Sequence, residues 1–251
     1  MANSTATTHT GRNGFTCKQF FVAHDQCAMK VSTDSLLLGS FARAEDAGRI
    51  LDVGTGSGIL ALMMAQKSVD ECHIDALDID SDAVRQAGEN VASSPWPGKV
   101  TVHLQALQAL SPVAPYEVVI TNPPYFRQAQ SNTRAYDAMP VSRGQARNES
   151  GLSMATLFAQ CASMITKSGR FYCMYPYSRY DEVLSEAARS GWHAHRELIV
   201  SHTYAKAPYI CLFEFVQCAG VTDSQQLSIR SADNQYTAAF KGLCREFYRN
   251  F

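Results

Sequence analysis

Short apolar runs alternate along the chain with segments whose apolar residues recur at helical spacing. This alternation is typical of βαβ units built around a mostly parallel sheet. The predicted strands are residues 49–53, 73–79, 100–104, 116–121, 171–175, 197–202 and 209–216. The sequence therefore predicts an α/β fold with a seven-stranded, mostly parallel sheet, in which the last two strands form an antiparallel pair.

Helices are predicted on both faces of this sheet. The first covers residues 34–41, with Thr33 or Asp34 as its N-cap, and the second follows residue 58. The third and the fifth cover residues 82–92 and 181–190. The fourth covers residues 152–167 and is expected to end at Gly169. The last, residues 236–251, repeats aromatic residues at helical spacing, which indicates a packed terminal helix.

Composition places the chain among soluble proteins. It has 251 residues, a formal net charge of −1 and a polar start without the apolar core of a signal peptide. The longest apolar stretch, residues 59–65, is far too short to cross a bilayer. The eight cysteines never form a C-x-x-C pair, which indicates reduced thiols and neither a disulfide framework nor a zinc site. We therefore expect a cytoplasmic protein without a metal.

A glycine-rich turn separates the first predicted strand from its helix. The segment reads Leu51-Asp52-Val53-Gly54-Thr55-Gly56-Ser57-Gly58, and its glycines allow a ligand to approach the backbone closely. The dinucleotide fingerprint G-x-G-x-x-G would need a glycine at position 59, where this chain has Ile59. G-x-G-x-G after Asp52 resembles instead the first motif of class I S-adenosylmethionine (SAM)-dependent methyltransferases. The resemblance implies that the turn packs against the methionine part of SAM.

An acidic residue ends the second predicted strand. Asp78 comes 24 positions after Gly54, where a carboxylate can accept hydrogen bonds from both hydroxyls of a ribose. Asp80 is an alternative two residues later, and either aspartate alone could instead cap the next helix. Together with the glycine turn, this position predicts a cofactor site that also includes Ile79.

The tetrad Asn122-Pro123-Pro124-Tyr125 follows directly after the fourth predicted strand. Two prolines fix φ and keep Asn122 out of the helical region, so the tetrad is stiff and extended. It resembles the signature of methyltransferases that act on amino or amide nitrogens of planar groups. The Asn122 side-chain oxygen and the Pro123 carbonyl could accept hydrogen bonds from such an NH₂ group, while Tyr125 and Phe126 stack on the base. A base in a duplex could not reach this site, so the target must be unpaired or flipped out.

The segment before the first strand completes a family pattern. Residues 30–38 read Lys30-Val31-Ser32-Thr33-Asp34-Ser35-Leu36-Leu37-Leu38. Joined to the glycine turn and the NPPY tetrad, this run resembles the K-x-(G/S)-T-D-x-x-L-L segment of the bacterial valine-tRNA adenine-37 N6-methyltransferases. The resemblance covers nearly the whole chain, including Ser94-Pro95-Trp96 and Gly191-Trp192-His193.

This resemblance implies a class I, Rossmann-like methyltransferase fold with SAM as cofactor. The implied substrate is an adenine at position 37 in the anticodon loop of valine tRNA, and the protein is expected to be a monomer. Residues 1–48 would form an arm and helix over the cofactor site, and residues 49–251 the methyltransferase domain. The expected cofactor contacts are Lys30, Thr33, Asp52, Gly54, Thr55, Gly56, Gly58, Asp78, Ile79, Gln105 and Asn122. The expected catalytic residues are Asn122, Pro123, Pro124 and Tyr125.

Two positions depart from the family pattern. Where relatives end the third strand with an aspartate that binds the adenine of SAM, this chain has Gln105-Ala106-Leu107. Because Ala106 has no polar side chain, Gln105 or a backbone group is expected to make that contact. The second departure is Gly144, which stands where relatives commonly have an acidic residue.

Other functions remain as alternatives. Glutamine N5-methyltransferases of release factors also use NPPY, but they carry a helical recognition domain before the SAM turn. DNA adenine methyltransferases typically carry a target-recognition insertion, which is not visible here. A SAM-fold RNA-binding module without turnover is a further alternative, favoured only by the missing aspartate. His193 and His195 lie on one face of a strand, but a metal site would need a third ligand.

The charge is divided unevenly along the chain. Residues 51–126 carry three basic and nine acidic groups, whereas residues 127–251 carry fourteen and ten. Residues 127–147 hold four arginines against one aspartate. Basic side chains beside a base-binding site favour phosphate contacts. The expected RNA contacts are Phe126, Arg127, Arg134, Arg143, Arg147, Lys241, Arg245 and Arg249.

Overall fold

The computed structural model describes residues 12–27, 30–123 and 152–249. An N-terminal hairpin precedes the main sheet and consists of strands β1 (Gly14–Thr16) and β2 (Phe21–Ala23). The strands of the main sheet are β3 (Arg49–Val53), β4 (His73–Asp78), β5 (Val100–Leu104), β6 (Tyr116–Thr121), β7 (Ile165–Pro176), β8 (His193–Thr203), β9 (Ile210–Val216) and β10 (Asp223–Arg230). The helices are α1 (Thr33–Phe41), α2 (Ile59–Lys67), α3 (Ser81–Ala92), α4 (Met154–Met164), α5 (Tyr180–Arg189) and α6 (Ala238–Cys244).

The main sheet has the strand order β10-β8-β9-β7-β6-β3-β4-β5. Among these strands only β9 runs antiparallel to its neighbours, β7 and β8. The chain fills the sheet outward from β3 to β5 and then returns to the other side of β3 with β6. This reversal between β3 and β6 is the position at which open α/β sheets bind ligands, beyond the carboxyl ends of their strands. We call this edge of the sheet the carboxyl edge.

Two hydrophobic cores lie on the two faces of the sheet. On one face α1, α2, α3 and α6 cover β3, β4 and β8, with Leu37, Leu62 and Phe240 fully buried. On the other face α4 and α5 pack over β7 and β9, with Phe158 and Trp192 at the centre. Both faces are therefore dry, which explains why the parallel strands read as nearly continuous apolar runs.

The sheet has eight strands, so the predicted seven-stranded sheet is wrong by one strand. The missed strand is β10, which pairs parallel to β8 at the edge of the sheet. Its first four residues, 223–226, are exposed and polar, and only Leu227, Ser228 and Ile229 are buried. A half-solvated edge strand lacks the apolar run that identified the others. The predicted antiparallel pair is present as β8 and β9, and β10 extends the sheet beyond β8.

Several helix boundaries also differ from the prediction. The helix predicted at 152–167 ends at Met164, because Ile165 has extended backbone and begins β7. Gly169 lies inside that strand, where a Cβ would come within 2.3 Å of Ile165 Cγ1. The N-cap of α1 is Ser32, whose side chain accepts a hydrogen bond from the Ser35 amide. The terminal helix ends at Cys244, and Tyr248 instead forms an isolated bridge with Cys17.

Two further expectations from composition concern membrane spans and cysteines. Among the described helices, none is long and apolar enough to cross a membrane. All eight cysteines have free thiols, and most of them are buried.

Candidate active site

The glycine turn between β3 and α2 has the backbone that its sequence predicts. Gly54, Gly56 and Gly58 have φ of 72°, 55° and 82°, in the left-handed region that other residues rarely adopt. A Cβ built at Gly54 or Gly56 would meet no atom within 4 Å, so a ligand can reach the backbone there. A Cβ at Gly58 would come within 3.3 Å of Ala87, which shows that this glycine also allows α3 to pack closely.

Asp52 holds the turn from inside the protein. Its Oδ2 accepts hydrogen bonds from Thr55 Oγ1 at 2.6 Å and from the Ala61 amide at 3.1 Å, whereas Oδ1 is buried without a hydrogen-bond partner. Burial raises the pKa of Asp52 to about 7, and the charge of Asp78 adds to this shift. The predicted cofactor contacts at Asp52 and Thr55 thus belong to two buried side chains that bind each other.

Asp78 is oriented by two backbone amides at the carboxyl edge. Its Oδ2 accepts from Gly56 N at 2.9 Å and its Oδ1 accepts from Asp80 N at 3.0 Å. A carboxylate offers about four acceptor positions, so both oxygens retain capacity for the two hydroxyls of a ribose. Asp80 is the N-cap of α3 and accepts from Asp82 N at 2.9 Å. The geometry therefore favours Asp78 over Asp80 as the ribose ligand.

Exposed apolar side chains lie next to Asp78 along the carboxyl edge. The side chains of Ile79 and Leu104 are 56% and 59% exposed, although both are large and hydrophobic. Gln105 lies beside them, and its Nε2 donates to the Ala109 carbonyl at 2.7 Å. That bond fixes the amide, whose oxygen is an acceptor suited to an exocyclic amine. Along this edge the glycine turn comes first, then Asp78, then the exposed apolar side chains. This is the order in which the methionine part, the ribose and the adenine follow one another in SAM.

Two buried side-chain amides of α3 bind the N-terminal arm, and one of them also binds the glycine turn. Asn90 Oδ1 accepts from Ala23 N at 3.0 Å, and Asn90 Nδ2 donates to the carbonyls of Ala23 and Ser57, both at 2.8 Å. Gln26 N donates to Gln86 Oε1 at 3.1 Å nearby. The sequence analysis did not single out Asn90, because its partners are 67 and 33 residues away. The expected arm over the cofactor site therefore has a defined anchor.

The two arm residues predicted to contact SAM differ in burial. Lys30 is exposed on the segment that leads into α1. Thr33 is half-buried and lines a cavity with Asp34 and Tyr209. Both remain predicted cofactor contacts.

Asn122 lies at the carboxyl end of β6, next to the glycine turn. The preceding Thr121 donates its hydroxyl to Val53 O at 2.7 Å and so ties β6 to β3. Asn122 Nδ2 lies 3.2 Å from Ser35 Oγ in the first turn of α1, and Ser35 itself is buried. Pro123 is buried. Ser35 was not predicted as a site residue, and only the fold brings it to Asn122.

Several predicted site residues lie outside the described residues. They are Pro124, Tyr125, Phe126, Arg127, Arg134, Arg143 and Arg147. Lys241, Arg245 and Arg249 are described and exposed. Next to Arg245, the Glu246 carbonyl accepts from Gln66 near the C-terminal end of α2, remote from the glycine turn. Arg249 follows Tyr248, whose side chain bonds to Thr33 at the start of α1, so Arg245 and Arg249 extend along the flank of the protein toward that helix. All three cations remain predicted RNA contacts.

His193 and His195 are exposed at the start of β8, on the edge of the sheet opposite Asn122. Within residues 12–27, 30–123 and 152–249, no group of three His, Cys, Asp or Glu side chains is arranged to hold a metal ion.

Comparison with solved structures defines the fold class. A predicted O-methyltransferase from Agrobacterium tumefaciens superposes with a TM-score of 0.62 at 14% identity, covering 84% of this chain and 95% of that one. A precorrin-6y C5,15-methyltransferase from Geobacter metallireducens superposes with a TM-score of 0.52 at 12% identity, covering 79% and 94%. A family model described as "Methyltransferase small domain" matches residues 27–154. Fold and site together define a class I SAM-dependent methyltransferase.

Curated relatives narrow the class to one family. A tRNA1(Val) (adenine(37)-N6)-methyltransferase from Salmonella enteritidis is 42% identical over 239 residues, covering 94% of this chain and 95% of the relative. The enzyme of the same name from Salmonella typhimurium matches with the same identity and coverage. The chain belongs to the tRNA1(Val) (adenine(37)-N6)-methyltransferase family, and the resemblance found in the sequence is confirmed.

We expect the buried carboxyl of Asp52 to make stability depend on pH. Because its folded pKa of about 7 lies above the ordinary value of 3.8, its protonated form stabilises the fold at low pH. That contribution is lost as pH rises through about 7. The side chain of Asp52→Asn is neutral at every pH, so this variant should not lose that contribution. Between pH 5 and 8 the unfolding free energy of the parent should fall by about 2–3 kcal/mol relative to that of Asp52→Asn.

Urea unfolding at several pH values measures this difference. Thr55→Val is the comparison variant: it keeps the Asp52 carboxyl but removes the hydrogen bond that lowers the pKa of this group, so its loss of stability between pH 5 and 8 should be at least as large as that of the parent. A constant difference between Asp52→Asn and the parent from pH 5 to 8 would contradict the assignment.

We expect Asn90 to stabilise the arm and the glycine turn together. Asn90→Ala leaves buried groups of Ala23 and Ser57 without their partner, which should cost about 2–4 kcal/mol of unfolding free energy. SAM affinity should fall as well, because Ser57 belongs to the turn. Gln86→Ala, which removes one bond to the arm, should cost less on both measurements. Equal effects of the two variants would show that Asn90 is not the main anchor.

Proposed function

We propose that this protein transfers one methyl group from SAM to N6 of adenine 37 in the anticodon loop of valine tRNA. The observation that carries the proposal is Asn122 at the carboxyl end of β6, beside a glycine turn fit for SAM, in a chain of this family. The relatives' names give the tRNA and the position, and the site gives the chemistry.

The problem for catalysis is the target nitrogen. The exocyclic amine of adenine delocalises its lone pair into the ring and is therefore a poor nucleophile. SAM supplies an electrophilic sulfonium methyl, which passes to nitrogen as the carbon–sulfur bond breaks. No strong base is needed beforehand, because the nitrogen becomes acidic only once it carries the methyl group. Positioning and electrostatic preorganisation are then the main contributions of the protein.

Asn122 provides this positioning in the proposed mechanism. With Nδ2 directed to Ser35 Oγ at 3.2 Å, Oδ1 lies at the other end of the amide as an acceptor for the target NH₂. The Pro123 carbonyl is the second acceptor. Holding both amine hydrogens directs the nitrogen lone pair toward the methyl group. Pro124 and Tyr125 complete the proposed site, with Tyr125 stacking on the base.

The proposal includes the remaining cofactor and RNA contacts. Asp78 would bind the ribose of SAM, Ile79 and Gln105 its adenine, and the glycine turn its methionine part. Exposed Lys241, Arg245 and Arg249 would contact phosphates along the flank, together with the arginines between residues 127 and 147. A monomeric protein is also part of the proposal. A tRNA substrate and eight free thiols support a cytoplasmic location.

Incubation with labelled SAM and bulk tRNA, followed by nucleoside analysis, tests the substrate. We expect N6-methyladenosine in the valine tRNA fraction and one methyl per molecule. A release factor is added in a parallel reaction, because the glutamine methyltransferases share NPPY. A methylated release factor together with unmodified tRNA would overturn the proposal.

Asn122→Ala should lower kcat by about 100-fold or more, because removal of one preorganised group at a reacting centre has costs of this size. SAM affinity, measured by calorimetry, should stay within about twofold of the parent value. Asn13→Ala changes an exposed asparagine of the arm and should leave both quantities unchanged. A large loss of SAM affinity in Asn122→Ala would make Asn122 a cofactor ligand and not a substrate ligand.

Binding of valine tRNA should weaken as salt rises, because cationic side chains that meet phosphates release bound counterions. The double variant Lys241→Ala/Arg245→Ala should reduce the slope of log K against log salt by about one to two. Arg189→Ala, at the end of α5 away from the carboxyl edge, is the control and should keep the parent slope. Equal slopes in all three proteins would show that Lys241 and Arg245 do not contact RNA phosphates.

A further inference from the structure

A cavity of about 460 Å³ lies at the carboxyl edge, separate from the glycine turn and from Asp78. The ends of β8 and β10 and the start of β9 form it, together with the first turn of α1. Its lining residues are Thr33, Asp34, His202, Tyr209, Ile229, Arg230 and Tyr236. None of the functions considered above uses it, except for the predicted cofactor contact at Thr33.

The cavity is joined to the proposed catalytic centre by two consecutive residues of α1. Asp34 Oδ1 accepts from Tyr209 OH at 2.8 Å, inside the cavity. Ser35 Oγ lies 3.2 Å from Asn122 Nδ2. Since neighbouring Cα atoms are only about 3.8 Å apart, the cavity and Asn122 flank the same helical turn. This separation is short enough for two adjacent nucleotides of one RNA strand to span.

The cavity walls are aromatic and carry both signs of charge. His202 and Tyr209 stack with ring centroids 4.0 Å apart and an interplanar angle of 9°. The Arg230 guanidinium lies 4.1 Å from the centroid of the Tyr236 ring. Planar rings and an arginine plane are the surfaces on which proteins stack unpaired bases.

The loop after β8 adds exposed groups of the same kind. Tyr204 is 76% exposed although its ring is large, and Lys206 is exposed two residues later. Tyr204 follows the cavity-lining His202 by two residues, so its exposed ring is available to a base that enters the cavity. A cation beside it suits the phosphate that accompanies a base.

We propose that this cavity binds the base of a nucleotide that adjoins the methylated adenine in the substrate RNA. The proposal rests on the proposed function. The Asp34 carboxylate can accept N–H groups of a base, whereas it would repel a phosphate in the same place. Stacking on His202 and Tyr204 supplies affinity, and Arg230 can donate to base oxygens or ring nitrogens. The cavity therefore selects the sequence context of the adenine, a task that the SAM site cannot perform.

A double-mutant cycle between protein and RNA tests this proposal. Full-length valine tRNA is prepared with an abasic site at the nucleotide on the 5′ side or on the 3′ side of the target adenine. The parent should lose about tenfold in kcat/KM on one of these two RNAs, since base–aromatic stacking has this magnitude. On intact tRNA, His202→Ala/Tyr204→Ala should lower kcat/KM by a similar factor. On that abasic RNA the double variant should lower kcat/KM only slightly further than the missing base already does, because the side chains and the base are coupled.

His193→Ala is the matched control. It removes a histidine from the same strand at the opposite edge of the sheet and should behave as the parent does. His202 and Tyr204 are both exposed, so we expect the double variant to keep the melting temperature of the control. If it does not fold, Tyr204→Ala alone, at a side chain that is 76% exposed, takes its place in the cycle.

Two results would overturn the proposal. One is equal kcat/KM of the parent on both abasic RNAs and on intact tRNA. The other is a loss in the double variant that is the same on intact and abasic RNA. Failure of the proposed function has a different readout, namely no methyl transfer by the parent to intact valine tRNA. In that case the dissociation constant for bulk tRNA decides: a several-fold weakening in His202→Ala/Tyr204→Ala supports the cavity as a base-binding site, and an unchanged value overturns it.

Discussion

The site depends on one buried carboxyl group that joins a strand, a turn and a helix. Asp52 is on β3, and its Oδ2 binds Thr55 in the turn and Ala61 in the first part of α2. Because β3 pairs with both β4 and β6, the turn that Asp52 holds lies beside the ends of both strands, where Asp78 and Asn122 are. Parallel pairing brings the strand ends to one edge, and Asp52 gives the backbone at that edge its shape.

Contacts that are local in sequence were predictable, and those that join distant segments were not. The strands 100–104 and 116–121 were predicted at their observed bounds, since each is a short segment rich in β-branched residues between turn residues. The left-handed glycines follow from the sequence for the same reason. Asn90 and Ser35 could not be found this way, because their partners Ala23 and Asn122 are reached only after folding. Strand β10 was missed because its exposed half has the composition of a loop.

The boundary between α4 and β7 shows how tertiary pairing overrides a helical pattern. Residues 152–167 have helical spacing, and Gly169 is a reasonable helix end from sequence. In the structure Ile165 pairs with Tyr116 of β6, so the chain leaves the helix at Met164. The absence of a side chain at Gly169 then gives Ile165 the room to be buried. The same glycine thus has a packing role in a strand, which a single sequence cannot distinguish from a helix end.

Strand β10 has a consequence for the behaviour of the protein in concentrated solution. It leaves the sheet with an outer strand whose backbone N–H and C=O groups could pair with a second molecule. Exposed Asp223, Ser224, Gln225 and Gln226 occupy the first half of that strand. A polar, charged border of this kind disfavours strand addition and aggregation, so a large parallel sheet can end in water without recruiting another copy of itself.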